Sequence, residues 1–157
     1  MTLCIVTPAP PGSQTGNRVT ACRWESIFRA LGFAVEMRTR PPENPPAVLV
    51  ALHAIKSAEA VEQVRRRWPE VPVVLALTGT DVYHPLRESA RGMATARQAD
   101  RLVVLQPLAL QELPAELHPR TRVIYQSVGP PLPPHRPPEN EFRICVLGHL
   151  RDLKDPF

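Results

Sequence analysis

A chain of 157 residues has the length of one ordinary domain and buries roughly two-thirds of the surface it exposes when unfolded. Its apolar fraction of 43% and mean hydropathy of -0.17 fit a globular protein, and no run approaches the roughly 18 apolar residues of a membrane span. The net charge of +4 suits an anionic ligand, but aromatic residues make up only 5% and do not interleave with the basic ones, so no nucleic-acid surface is expected.

Leu3 to Thr7 reads as a short apolar strand ended by Pro8, Pro10 and Pro11. Met1 to Val6 carries no basic run and those prolines cut off any apolar core of a leader, which predicts a cytoplasmic protein. The loop "GSQTGNR" follows, with Gly12 and Gly16. The spacing of Val19, Trp24, Ile27, Phe28 and Leu31 predicts one buried face of a helix over 19–31. Gly32 then stands at its left-handed C-terminal position. Ala34 to Thr39 is a second strand.

The unit then repeats. "AVLVALHA", Ala47 to Ala54, is an unbroken apolar strand that ends in His53. Ser57 is the expected N-cap of a helix through Trp68, and Arg65, Arg66 and Arg67 near its end are expected to face water beside the negative end of the helix dipole. "VPVVLALTGTD" is a strand that runs into a sharp turn, Thr78 to Asp81. A helix over 86–98, a strand "RLVVLQP", a short helix over 109–117 broken near Pro114 and a strand "TRVIYQSV" complete the series.

Strands without polar alternation, separated by helix-length amphipathic segments, predict a parallel sheet covered on both faces. The expected fold is α/β: a Rossmann-like, doubly wound parallel sheet over 1–128. Six of the nine residues Pro130 to Pro138 are proline, so 129–141 reads as an extended, semi-rigid linker. "FRICVLGHL" beyond it is another buried-type strand, which needs neighbours that the given sequence does not supply. We therefore expect 142–157 to begin a second domain that the given sequence cuts short. The three cysteines, widely spaced and without a C-x-x-C pair, read as small hydrophobes in a reducing compartment, and no metal site is expected.

In open α/β sheets ligands bind beyond the carboxyl ends of the strands. That rule selects the loop Gly12, Gly16, Asn17 and Arg18, whose glycines let a backbone approach an anion at a helix start. It also selects His53, the turn with Thr80 and Asp81, and the polar pair Gln126 and Ser127 ahead of the linker. At the chain's end, His149, Arg151 and Lys154 follow a strand and a glycine, an order that suits a diphosphate through charge-assisted hydrogen bonds.

"GHLRDLK" is similar to the Gly-Arg-Leu-x-x-x-Lys loop of family 4 glycosyltransferases, which have the two-domain GT-B plan. Lys154 falls on the family's lysine, whereas His149 stands where the family has arginine. "IVTPAPPGSQTGNRVTACRW", "LVALHAIKSA", "ALTGTDVY", "RLVVLQ", "RVIYQSV" and "VLGHLRDLKDPF" together resemble the branch that synthesises selenosugars for selenoneine. The resemblance implies transfer of N-acetylglucosamine from UDP-N-acetylglucosamine to selenophosphate, with no cofactor, metal, nucleic acid or membrane involved. It places Gly12, Gly16, Asn17 and Arg18 at the acceptor anion, and His53, Thr80 and Asp81 along the cleft, with His53 and Asp81 catalytic. Gln126 and Ser127 fall near the hinge, and His149, Arg151 and Lys154 at the diphosphate. A family 4 enzyme acting on a hydroxyl acceptor and a non-catalytic anion-binding Rossmann module are the alternatives.

Overall fold

The backbone begins with three strands that lie side by side: β1 (Thr2–Val6), β2 (Ala34–Arg38) and β3 (Val48–Leu52). The computed structural model describes residues 1–83 and 85–127, which belong to one unit, Met1–Ser127. The linker expected over 129–141, the strand after it, Cys145, and the basic trio His149, Arg151 and Lys154 lie outside the described residues. Three further strands, β4 (Val73–Leu77), β5 (Arg101–Val104) and β6 (Thr121–Val123), complete a six-stranded sheet in the order β2-β1-β3-β4-β5-β6. Every neighbouring pair is parallel. This is the Rossmann-like α/β fold that the sequence pattern predicts.

The helices are α1 (Gly16–Ala30), α2 (Ala58–Arg67), the single turn α3 (Pro85–Glu88) and α4 (Ala90–Gln98). Successive side chains of a strand point to opposite faces, and here both faces are apolar. Cys4, Val6, Leu49, Ala51, Leu75, Leu77, Leu102 and Val104 pack with Ala60, Val61 and Val64 of α2 and Ala96 of α4. Leu3, Ile5, Val50, Leu52, Ala76 and Val103 pack on the other face with Ala21, Trp24 and Phe28 of α1. Burial on both faces is why these strands are continuous apolar runs.

Several elements differ from their expected form. Helix α1 starts three residues early, at Gly16, so Gly16, Asn17 and Arg18 form its first turn and Thr15 is its N-cap residue. The helix predicted over 86–98 is two pieces, because Ser89 adopts extended backbone and its Oγ accepts from the Gly92 amide at 3.0 Å, starting α4 afresh. Residues Pro107–Leu110 and Ala115–Arg120 are 3-10 turns on either side of Pro114. The last strand stops at Val123, well short of the eight residues expected.

Two packing expectations are corrected. Val19, Ile27 and Leu31, expected to face inward from α1, are 60%, 37% and 66% exposed. Among the described residues α1 is the only helix in the core cluster on its face of the sheet, so the face has too few partners to bury its full apolar stripe. An apolar groove of about 470 Å³ remains there, between Trp24 and Phe28 of α1 and Val74 and Val103 of the sheet. The arginine run is not uniformly solvated either. The Arg65 guanidinium donates to the Gln98 carbonyl at 2.7 Å and to Asp100 Oδ2 at 2.6 Å, fastening the end of α2 to the start of β5. Arg67 lies 4.4 Å over the Trp68 ring, a stacking that its planar cation favours.

Candidate functional site at the carboxyl edge of the sheet

The strand order has a single reversal. From β1 the chain adds β2 on one side, and β3 to β6 then extend on the other. The carboxyl ends of β1 and β3 therefore flank the topological switch point, the place where open α/β sheets take their ligands. Val6 pairs with Ala51 and Leu52 pairs with Ala76, so Thr7, His53 and Thr78 emerge side by side from three adjacent strands.

The β1 exit is the glycine loop. Thr7 is wholly buried, and its hydroxyl donates to the Asn17 carbonyl at 3.4 Å and accepts from the Ala9 amide. Gly12 has φ +80°, a conformation that side chains with a Cβ rarely adopt. At Gly16 an added Cβ would meet no atom within 4 Å, so this backbone lies open. The first amides of a helix have no intrahelical acceptor, and the first turn of α1 holds no acidic side chain. Together these features favour an anion. Asn17 Oδ1 is sealed from solvent without a partner, and Arg18 is half-buried.

The β3 exit is strained. His53 has φ +76° and is the one residue other than glycine with positive φ among the described residues. Its backbone is held from both sides: its amide donates to the Ala76 carbonyl at 2.9 Å and its carbonyl accepts from the Ser57 amide at 3.0 Å. The Lys56 amide donates to His53 Nδ1 at 3.4 Å. Ser57 occupies the N-cap position of α2, but its hydroxyl donates to the Leu52 carbonyl at 2.6 Å, so it anchors the strand end and caps no helix amide. Burial pushes the His53 imidazole below its ordinary pKa, and Lys56 adds to this while Asp81 opposes it.

The β4 exit turns at Gly79, φ +114°, whose carbonyl accepts from the Val82 and Tyr83 amides at 3.0 and 3.3 Å. Thr80 is exposed on this turn. Asp81 is fully buried: its Oδ2 accepts from the Ala54 amide at 2.8 Å and lies 3.9 Å from His53 Nδ1, while Oδ1 is sealed without a partner. Thr78 Oγ1 is sealed and unpartnered as well.

The structure thus brings His53 and Asp81 into contact and sets Gly12, Gly16, Asn17 and Arg18 on the neighbouring exit. Gln126 and Ser127 lie against α1: Gln126 donates to Thr20 Oγ1 at 2.7 Å, and Ser127 accepts from Arg23 Nε at 2.9 Å. Three residues at this edge go beyond the sites picked from the sequence: Thr7, and the pair Tyr83 and Gln106, whose side chains are joined by a hydrogen bond. A polar residue that ends an apolar run is the sequence signal that Thr7 and Gln106 share.

Among the described residues no group of three His, Cys, Asp or Glu side chains could hold a metal ion, and no helix is long and apolar enough to cross a membrane. Fold and edge together define a Rossmann-like parallel α/β domain with a polar cluster at its switch point. No protein-family model matches the chain, and no curated protein matches it.

Proposed function

We propose that this domain is the acceptor side of a GT-B glycosyltransferase that moves N-acetylglucosamine from UDP-N-acetylglucosamine to selenophosphate. The observation that carries the reading is the pairing, at one switch point, of an open glycine loop at a helix start with the buried His53 in its left-handed turn. The motif series described above supplies the identity of the two substrates. Its diphosphate residues His149, Arg151 and Lys154 lie outside the described residues.

The chemistry asked of this half is modest. Selenium is polarisable and readily ionised, so the acceptor needs holding and aiming more than deprotonation. The Ser13 and Arg18 amides are spent on the Pro10 and Thr15 carbonyls, so the amides of Gly16 and Asn17 at the helix start, with the Arg18 cation, would bind the phosphoryl oxygens. His53, neutral at physiological pH, would add one hydrogen bond, and Thr80 would line the open side. Most of the acceleration would come from alignment and from stabilising the departing diphosphate.

The test is to titrate the ¹⁵N-labelled chain with selenophosphate and, separately, with UDP-N-acetylglucosamine, and then to weigh the products when both are present. Selenophosphate is expected to shift the amides of Gly12, Gly16, Asn17, Arg18 and His53. Shifts confined to other surfaces, or none, would remove the acceptor assignment. Binding of inorganic phosphate and selenophosphate without discrimination would favour a plain anion-binding module.

A further inference from the structure

Asp81 is the most buried carboxyl group of the candidate site, and nothing in the proposed chemistry uses it. It cannot touch a ligand as it stands, because neither oxygen reaches solvent: Oδ2 is spent on the Ala54 amide and Oδ1 is sealed. What it does touch is the turn that carries His53. The bond from Ala54 runs between residues 27 apart in sequence and ties the exit of β3 to the exit of β4.

The distances around that tie show which ring nitrogen of His53 is engaged. A carboxyl beside an imidazole commonly takes the Nδ1 proton and leaves Nε2 as a base. Here the geometry is different. Asp81 Oδ2 is 2.8 Å from the Ala54 nitrogen but 3.9 Å from Nδ1, beyond hydrogen-bond reach. Nδ1 instead accepts from the Lys56 amide, which requires Nδ1 to be unprotonated and the neutral ring to carry its proton on Nε2. Nε2 has no partner among the described residues, and the side chain keeps 6% of its surface exposed, so Nε2 is the ring end left for a ligand. The charged groups bearing on the ring are Asp81 and Lys56.

We propose that Asp81 is a positioning residue, which holds the left-handed turn at His53 through the Ala54 amide so that His53 presents Nε2–H outward as a donor to a phosphoryl oxygen of the acceptor. The identity of that acceptor rests on the reading given above; the staple and the tautomer do not. Substrate contact belongs to His53, and Asp81 acts through it.

Two-bond ¹H–¹⁵N correlation of the His53 ring in the whole chain, at neutral pH and without ligand, reads the tautomer directly. The expected pattern is a neutral ring with Nε2 protonated. Asp81→Asn keeps an oxygen that can accept from Ala54 and should keep the pattern, whereas Asp81→Ala should scramble it toward a mixture of tautomers. A ring protonated on Nδ1 in the unaltered chain overturns the proposal, whether or not the alanine variant folds. So does an Asp81→Ala variant that keeps the Nε2–H pattern unchanged, or an Asp81→Asn variant that folds but loses it.

Titration with selenophosphate and with inorganic phosphate tests the donor role. His53→Gln retains an N–H donor and should bind within a few-fold of the unaltered chain, while His53→Ala should weaken binding roughly 10- to 100-fold. Equal binding by both variants would remove the donor role. If the unaltered chain binds neither anion, the proposed function fails, and the ligand-free tautomer measurement still decides the role of Asp81.

Discussion

Gln126 Nε2 donates a 2.7 Å hydrogen bond to Thr20 Oγ1, joining residues 106 positions apart. Thr20 is buried on the second turn of α1, so the segment after β6 is fastened to the helix whose first turn forms the glycine loop. Arg23 and Ser127 fasten it one residue further on. A change that loosens this clasp acts on α1 beyond its first turn, without replacing a residue of the glycine loop.

Gln126→Ala removes the clasp's donor and leaves a buried hydroxyl without its partner. Loss of a net hydrogen bond of this kind is worth about 0.5–1.5 kcal/mol. The Ile124 amide, bonded to the Val104 carbonyl at 2.9 Å, should exchange several-fold faster in hydrogen-exchange measurements, with only a small fall in the global unfolding midpoint. Unchanged exchange at Ile124 would mean that the clasp does not order it.

Gly79→Ala should cost about 1–3 kcal/mol in chemical denaturation, the usual penalty for forcing a Cβ into a sparsely populated backbone region. The cost is backbone strain alone, since no atom lies within 4 Å of the added Cβ at φ +114°. The same replacement at Gly16, which has ordinary φ and open space around it, should leave stability nearly unchanged or slightly raised. The contrast between the two variants is the measurement.

Asp100 Oδ2 accepts from the Val73 amide at 2.7 Å and from Arg65 at 2.6 Å, and links β4, β5 and α2. Desolvation works against ionisation there, but the Val73 amide and Arg65 outweigh it and hold the carboxyl below its ordinary range. Its stabilising effect is therefore present above the ordinary carboxylate pKa and is lost as pH falls through the lower, folded value. The side chain is half exposed, so solvent screening limits Asp100→Ala to a cost of about 1 kcal/mol. A thermal melt at pH 7 and again at pH 3 should show the variant's deficit shrinking at the acidic end.

His53 supplies an acid-linked loss at higher pH. Burial holds its pKa down in the folded chain, while the unfolded chain titrates near an ordinary value of about 6.5. Below that value the unfolded state takes up a proton that the folded state refuses, so stability falls as pH drops from about 6.5 toward the folded pKa. His53→Gln should flatten that part of the profile and leave the carboxylate-linked part at lower pH in place. A profile of unfolding midpoints between pH 4 and 8 reads both; an unaltered slope near pH 6 in the variant would contradict the assignment.

Much of this fold is legible in the sequence. Leu3 to Val6, Leu49 to Leu52 and Val73 to Leu77 are apolar without alternation, and only strands covered on both faces tolerate that, so the class of fold follows from local pattern. Strand ends also follow from local pattern, which is why Gly12, His53 and Asp81 could be picked as candidates. Strand order could not be, because it depends on which edge each crossover returns to, a choice made by contacts between segments far apart in sequence. The switch point between β1 and β3 is therefore a tertiary fact. So is the division of labour at the site. Local pattern puts Asp81 at a strand end, but only the packed chain shows the Ala54 amide, 27 positions away, bonded to its carboxylate. The contact of Gln126 with Thr20 is likewise visible only there. Local spacing sets which way a side chain leaves its own element; only the packed chain decides what it meets there.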